Sequence, residues 1–156
     1  MSPTTSLQGR TAIVTGAGGG IGRGLAQALA AAGANVIVAA RRAATGDETL
    51  ALIEAAGGRG LSVQTDVTQR HAVDAAVQAA ITRYGGLDIV VHNASSGQSG
   101  ASTACEAIDD ARWDEQFAIA LDAAFYLAQA SFAHLRDTGR GRFIILSSAQ
   151  ALHGVP

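Results

Sequence analysis

One pattern constrains the fold more than any other: short β-branched runs alternate along the chain with longer, Ala-rich stretches of helical periodicity. That alternation specifies βαβ units, parallel strands joined by crossover helices. Thr11–Thr15 (TAIVT) is the first strand, and a glycine loop over residues 16–20 follows. Residues 21–32 read as a helix with Ile21, Leu25, Leu29 and Ala32 on one face, ended by Gly33. Asn35–Ala40 is a second strand, apolar in the way a strand buried on both faces must be. Thr45 and Glu48 have capping-box spacing ahead of a helix that carries Leu52 and Ile53 and ends at Gly57-Gly58.

The third strand is read over residues 61–65, and the next helix, 69–84, spaces Val73, Val77 and Ile81 by four. Residues 87–92 are a fourth strand and 93–102 a Ser/Gly loop. Asp110 is placed to cap a long helix with the stripe Trp113, Phe117, Leu121, Phe125, and residues 142–146 are a fifth strand. Five strands and four right-handed crossovers give an open, doubly wound parallel sheet of order 3-2-1-4-5. Its ligand crevice belongs at the carboxyl ends of the strands, beside the first. The expectation is one domain over residues 1–156, with 1–9 a flexible N-terminus.

Composition narrows the chemistry. At 48% apolar and 15% charged residues the chain has enough hydrophobic surface for a packed core. A net charge of −2 argues against nucleic acid or an anionic membrane as the main partner. All 11 basic residues are Arg, so Lys Schiff bases and Lys-containing phosphate loops are excluded within these residues. The single Cys105 excludes an internal disulfide, and His71 and His134 have no partner at ligand spacing, so no metal site is expected. The N-terminus lacks signal-peptide regions and no run is read as long enough to span a membrane, the most apolar stretch being residues 36–40. The expected location is cytoplasmic.

The glycine loop holds the first chemical signal. Thr15, Gly16, Gly20 and Gly22 fit T-G-x-x-x-G-x-G, whereas strict G-x-G-x-x-G spacing fails. Glycines between a strand and a helix allow a tight turn and close phosphate approach, and the helix N-terminus offers free N–H groups. Here the chain resembles the short-chain dehydrogenase/reductase family, and the resemblance continues downstream. Asp66-Val67 resembles the family's adenine-contacting pair. Residues 87–94 resemble its fourth strand and Asn-Asn-Ala-Gly motif, with His92 for the first Asn and Ser95 for the Gly. Residues 141–148 resemble its fifth strand and active-site serine, Ser148 being the better match. The resemblance implies a Rossmann-type NAD(P)-binding domain and reversible carbonyl/alcohol hydride transfer on a small molecule. Its cofactor contacts would be Gly16, Gly20, Ile21, Gly22, Asp66, Val67, Asn93 and Ala94, and its catalytic residue Ser148.

The end of the second strand decides how the adenosine ribose is read, since an acid there binds the 2′-OH of NAD. This chain has Ala40, Arg41 and Arg42 instead. The expectation is NADP(H) over NAD, with Arg41 on the 2′-phosphate. The alternative makes both arginines solvated loop residues. Asp66 can equally be a turn residue before a helix, and Asn93 a strand-tying one.

Family catalysis implies a Ser, a Tyr, a Lys four residues after it and a supporting Asn. Tyr84 and Tyr126 are followed at the fourth position by Asp88 and Ala130, and Ala120 stands at the Asn position. The Tyr and Lys would follow the fifth strand, and the sequence stops at Pro156. The chain is therefore expected to be the cofactor-binding part of such an enzyme, incomplete relative to the family and inactive as it stands. A Ser148–His153 pair for acyl transfer lacks an orienting carboxylate. The competing reading is a non-catalytic nucleotide-binding or partner-binding module. Without a helix to cover the fourth and fifth strands, one side of Ile89, Val90, Ile144 and Ile145 is expected to be poorly shielded, with self-association or homo-oligomers as the consequence.

Overall fold

The computed structural model describes residues 6–96 and 104–148. Five parallel strands form one sheet: β1 (Thr11–Thr15), β2 (Asn35–Ala40), β3 (Arg59–Gln64), β4 (Ile89–His92) and β5 (Arg142–Ile145), in the order β3-β2-β1-β4-β5. This is the doubly wound Rossmann-type sheet that the alternating pattern specifies. Ile13 of β1 pairs in register with Ile37 of β2 on one side and Val90 of β4 on the other. The helices are α1 (Gly20–Ala31), α2 (Ala43–Ala55), α3 (Arg70–Tyr84), α4 (Asp110–Phe117) and α5 (Ala123–Asp137), with a 3-10 turn at Cys105–Ala107.

Strand side chains alternate between two cores. Ala12, Val14, Val36 and Val38 pack with Ala26 and Ala30 of α1 and Ile53 of α2. Ile13, Ile37 and Val90 pack with Val73 and Val77 of α3 and Leu127 of α5. The α1 face differs in part from the periodicity reading: Leu25 and Leu29 pack against the core, but Gly22, Ala26 and Ala30 are the buried residues and Ile21 is 69% exposed. Small residues let this helix lie close to the sheet, and closeness wins over side-chain size. Leu7 donates its N–H to Ala32 O at 2.8 Å and packs on the α1 core, so the chain is anchored ahead of residue 9.

Two helix starts are corrected. α2 begins at Ala43, and Thr45 Oγ1 donates to Arg42 O at 2.9 Å, so Thr45 and Glu48 do not form a capping box. Asp109, not Asp110, caps α4, accepting from Arg112 N at 2.8 Å. The third and fourth strands are also displaced by one or two residues. Gly60 pairs with Val36 in the β2–β3 ladder, and a Cβ there would come within 2.9 Å of Val36 O, so the position requires glycine.

The fourth crossover is one continuous 28-residue helical run, 110–137, with a π-turn at Ala118–Asp122. By length and composition alone this run could cross a membrane, which corrects the expectation that none is long enough. Its buried side, which includes Ile119, Ala123, Leu127 and Ser131, packs as a sheet-covering helix. The expected stripe is real as a pattern but faces outward: Trp113, Phe117, Leu121 and Phe125 are all exposed. The expected lack of shielding holds for β5, where Ile144 and Ile145 are about half exposed, and fails for β4, where Ile89 and Val90 are buried under α1-side and α5-side residues.

Candidate dinucleotide site

β1 ends at Thr15, and the chain turns through Gly16 at φ 65°. A Cβ at Gly16 would sit 2.9 Å from Ala94 Cα, and one at Gly22 would sit 2.5 Å from Asn93 Nδ2, so both must be glycine for β1, α1 and the β4 loop to meet. Gly19 and Gly20 have nothing within 4 Å of a Cβ position, leaving open space beside the start of α1. No side chain caps α1 at Gly19, so its first-turn N–H groups have no side-chain acceptor.

The loops after β1, β2, β3 and β4 enclose a cleft of about 630 Å³. Of the residues expected from sequence, Gly16, Arg41, Asp66, Val67 and Ala94 line it. Gly20, Ile21, Gly22, Asn93 and Ser148 are not among its lining residues. Gly22 acts by permitting close packing, and Ile21 is exposed in the first turn of α1. Asn93 Nδ2 donates to Thr15 O at 3.1 Å and Gly16 O at 3.4 Å, and this carries its strand-tying reading. Ser148 is exposed, three residues beyond the end of β5. His153 lies outside the described residues.

Arg41 and Arg42 are exposed at the rim, and among the described residues neither guanidinium has a hydrogen bond or ion pair. No acid stands at the end of β2; Ala40 does. Asp66 Oδ1 accepts from Thr68 N at 3.0 Å and Thr68 Oγ1 at 2.8 Å, the turn geometry, while Asp66 also lines the cleft. Val67 packs with Ile119 and Ala123, closing the cleft's far end against the π-turn.

Two residues that shape the site, Thr49 and Arg23, carry no legible sequence signal, and the contacts made by Thr15 and His92 are equally unreadable. Thr49 of α2 is buried and its Oγ1 donates to Ala17 O at 2.8 Å. Arg23 donates to Gly18 O at 2.8 Å, to Glu48 at 2.9 Å and to Thr49 Oγ1 at 3.0 Å. Together they hold the Ala17 and Gly18 carbonyls of the glycine loop toward α2. Thr15 Oγ1 accepts from Asn93 N and Ala94 N, at 3.1 and 3.2 Å. His92, 3% exposed, stands between Thr15 Oγ1 and Ile119 O, and burial lowers its pKa. A groove with glycine-lined open space, a free helix N-terminus and two unpaired guanidiniums suits a ligand with several phosphates and a flat ring system.

Comparison with known proteins bears on this geometry. The family model described as short chain dehydrogenase matches residues 10–156. A short chain dehydrogenase/reductase of Aspergillus oryzae, astE, is 44% identical over 92% of this chain and 55% of its own length. The hydroxynaphthalene reductase-like protein Arp2 of Metarhizium brunneum is 35% identical over 97% of this chain and 55% of its own. The solved structure of a 7α-hydroxysteroid dehydrogenase in complex with NADH and 7-oxo glycochenodeoxycholic acid superposes with a TM-score of 0.90. That structure is 28% identical, with 99% of this chain and 59% of that one covered. The chain thus spans about half the length of the curated relatives it matches.

Proposed function

Since the chain belongs to the short-chain dehydrogenase family, an oxidoreductase family that binds NAD(P), we propose that its cleft holds NADP(H) for carbonyl/alcohol interconversion on a small molecule. The observation that carries the cofactor preference is the rim after β2, where Ala40 stands in place of an acid and the guanidiniums of two exposed arginines have no partner among the described residues. Gly16, Asp66, Val67 and Ala94 would line the adenosine and pyrophosphate portions, with Gly20, Ile21 and Gly22 contributing the start of α1. When bound, the nicotinamide supplies or accepts a hydride. Arg41 would hold the 2′-phosphate by forked hydrogen bonds, and Ser148 would donate to the substrate oxygen. Asn93 works from behind, by holding Thr15 and Gly16.

Within these 156 residues there is no Lys, and neither Tyr is followed by one at the fourth position. A phenol near pKa 10 is a poor proton relay at neutral pH without a neighbouring cation. The 156-residue chain by itself is accordingly proposed to bind cofactor without appreciable turnover. The same observation supports a second reading, a non-catalytic nucleotide-binding or partner-binding module. A cytoplasmic setting fits either reading.

The test is titration of NADPH and NADH against the wild type and Arg41→Ala. A charged hydrogen bond to phosphate is worth about 1.5–3 kcal/mol, so NADPH should bind about ten- to a hundredfold more tightly, and Arg41→Ala should abolish the difference. Equal wild-type affinities would overturn the NADP(H) assignment.

A further inference from the structure

Resting on the dinucleotide-site reading, we propose that His92 is a positioning residue which, as a neutral Nε2–H imidazole, clamps two walls of the cleft together. The argument is a hydrogen-bond inventory. A threonine hydroxyl has one hydrogen and two lone pairs. Thr15 Oγ1 receives the N–H groups of Asn93 and Ala94, which take both lone pairs. Its one hydrogen then goes to the remaining neighbour, His92 Nδ1, 3.1 Å away. Nδ1 is therefore an acceptor, the ring proton sits on Nε2, and Nε2 donates to Ile119 O at 3.0 Å.

The result is a chain of bonds from Ala94 through Thr15 and His92 to Ile119. Both of its ends line the cleft. Ala94 belongs to the loop after β4, and Ile119 to the π-turn that interrupts the fourth crossover. A π-turn disturbs the regular helix ladder and is a frequent feature of functional sites. Among the described residues, His92 is the one side chain that hydrogen-bonds both β1 and this turn.

Protonation would break the clamp. A charged ring needs acceptors at both nitrogens, and Thr15 Oγ1 could offer one only by releasing Asn93 N or Ala94 N. Burial acts in the same direction, lowering the His92 pKa below the usual 6.5, while the carbonyls of Ile119 and Ala120 oppose it. β1 carries no charged residue. On the other elements packed against β4, the charged groups and the one other histidine are Arg142 of β5, Asp122 of the π-turn that holds Ile119, and His134, Arg136 and Asp137 in the last turn of α5; all but the half-buried His134 are exposed.

The test uses the 156-residue chain with isotope-labelled histidine. Nitrogen NMR should show the Nε2–H tautomer for His92 at neutral pH, and titration only below the ordinary histidine range. NADPH affinity should fall roughly three- to tenfold as His92 becomes charged, the effect of losing one good hydrogen bond. His92→Gln keeps one acceptor and one donor, so it should bind within about threefold of wild type at neutral pH and lose the pH dependence. His92→Leu should bind roughly three- to tenfold more weakly and exchange the Ala94 amide faster. A charged or Nδ1–H ring at neutral pH would overturn the clamp, as would Gln binding as weakly as Leu or retaining the pH dependence. If NADPH fails to bind the wild type at any pH, the cofactor reading fails, and the tautomer and Ala94 exchange still decide the clamp. If the Leu variant does not fold, the Gln variant and the pH arm decide it.

Discussion

Replacing Gly22 by Ala sets two effects against each other, and the structure says which wins. Ala is the better helix former by about 1 kcal/mol. At Gly22, however, the new Cβ would lie 2.5 Å from Asn93 Nδ2 and 2.8 Å from Gly16 C. Something must move. Overpacking costs about 1–3 kcal/mol, and displacing the Asn93 amide from Thr15 O costs about 1 kcal/mol more. The net expectation is a loss of about 1–3 kcal/mol. Gly24, in the same helix, is exposed with nothing within 4 Å of its Cβ position, so Gly24→Ala should stabilise by about 0.5–1 kcal/mol. The assay is urea unfolding of both variants beside wild type, at constant m-value. A difference of about 1.5–4 kcal/mol separates the two variants, roughly 3–16 °C in Tm for a chain of this size. Equal stability of Gly22→Ala and Gly24→Ala would refute the claim that β1, α1 and the β4 loop meet too closely for a side chain.

Other outcomes follow from the same contacts. Thr49→Val keeps the shape of the side chain but removes the donor to buried Ala17 O, and should cost about 1–3 kcal/mol in denaturant unfolding with weaker NADPH binding. The lowered His92 pKa means the folded state binds fewer protons than the unfolded state. Stability from this group is full above about pH 6.5 and is lost as pH falls through its folded-state pKa, measurable as Tm against pH. The exposed stripe Trp113, Phe117, Leu121, Phe125 should drive self-association in light scattering, and Leu121→Glu should shift the chain toward monomer; a wild-type monomer at high concentration contradicts this. NADPH consumption with ketones or quinones should be indistinguishable from background; turnover abolished by Ser148→Ala would refute it.

What could be read from the sequence was what repeats locally. The strand order follows from alternation and crossover handedness, and the glycine loop from residue type at fixed spacing. Periodicity fails where it must weigh small residues against large ones. It put Ile21, Leu25 and Leu29 inward; Leu25 and Leu29 do pack against the core, but Ile21 is exposed, and Gly22 and Ala26 are the fully buried positions because α1 lies close against the sheet. It found the Trp113–Phe125 stripe but could not say which side of the helix meets the sheet. The π-turn leaves no composition signal, because a single wide turn changes register without needing Gly or Pro. The contacts that shape the site were hidden for another reason, namely that the partners are distant in sequence. Thr49 bonds Ala17, Arg23 bonds Glu48, and His92 bonds both Thr15 and Ile119. Gly16, Arg41, Asp66, Val67 and Ala94 were legible because loops at strand carboxyl ends converge in any doubly wound sheet.

The central claim is that the cleft at those carboxyl ends is the dinucleotide site. Backbone amide NMR during an NADPH titration tests it most directly. The account predicts saturable shifts in residues 16–20, 41–42, 66–68 and 94–96, and little change at the opposite end of the sheet around Gly33, Gly57 and Gly85. Saturable shifts concentrated elsewhere, or none at millimolar NADPH, would contradict it.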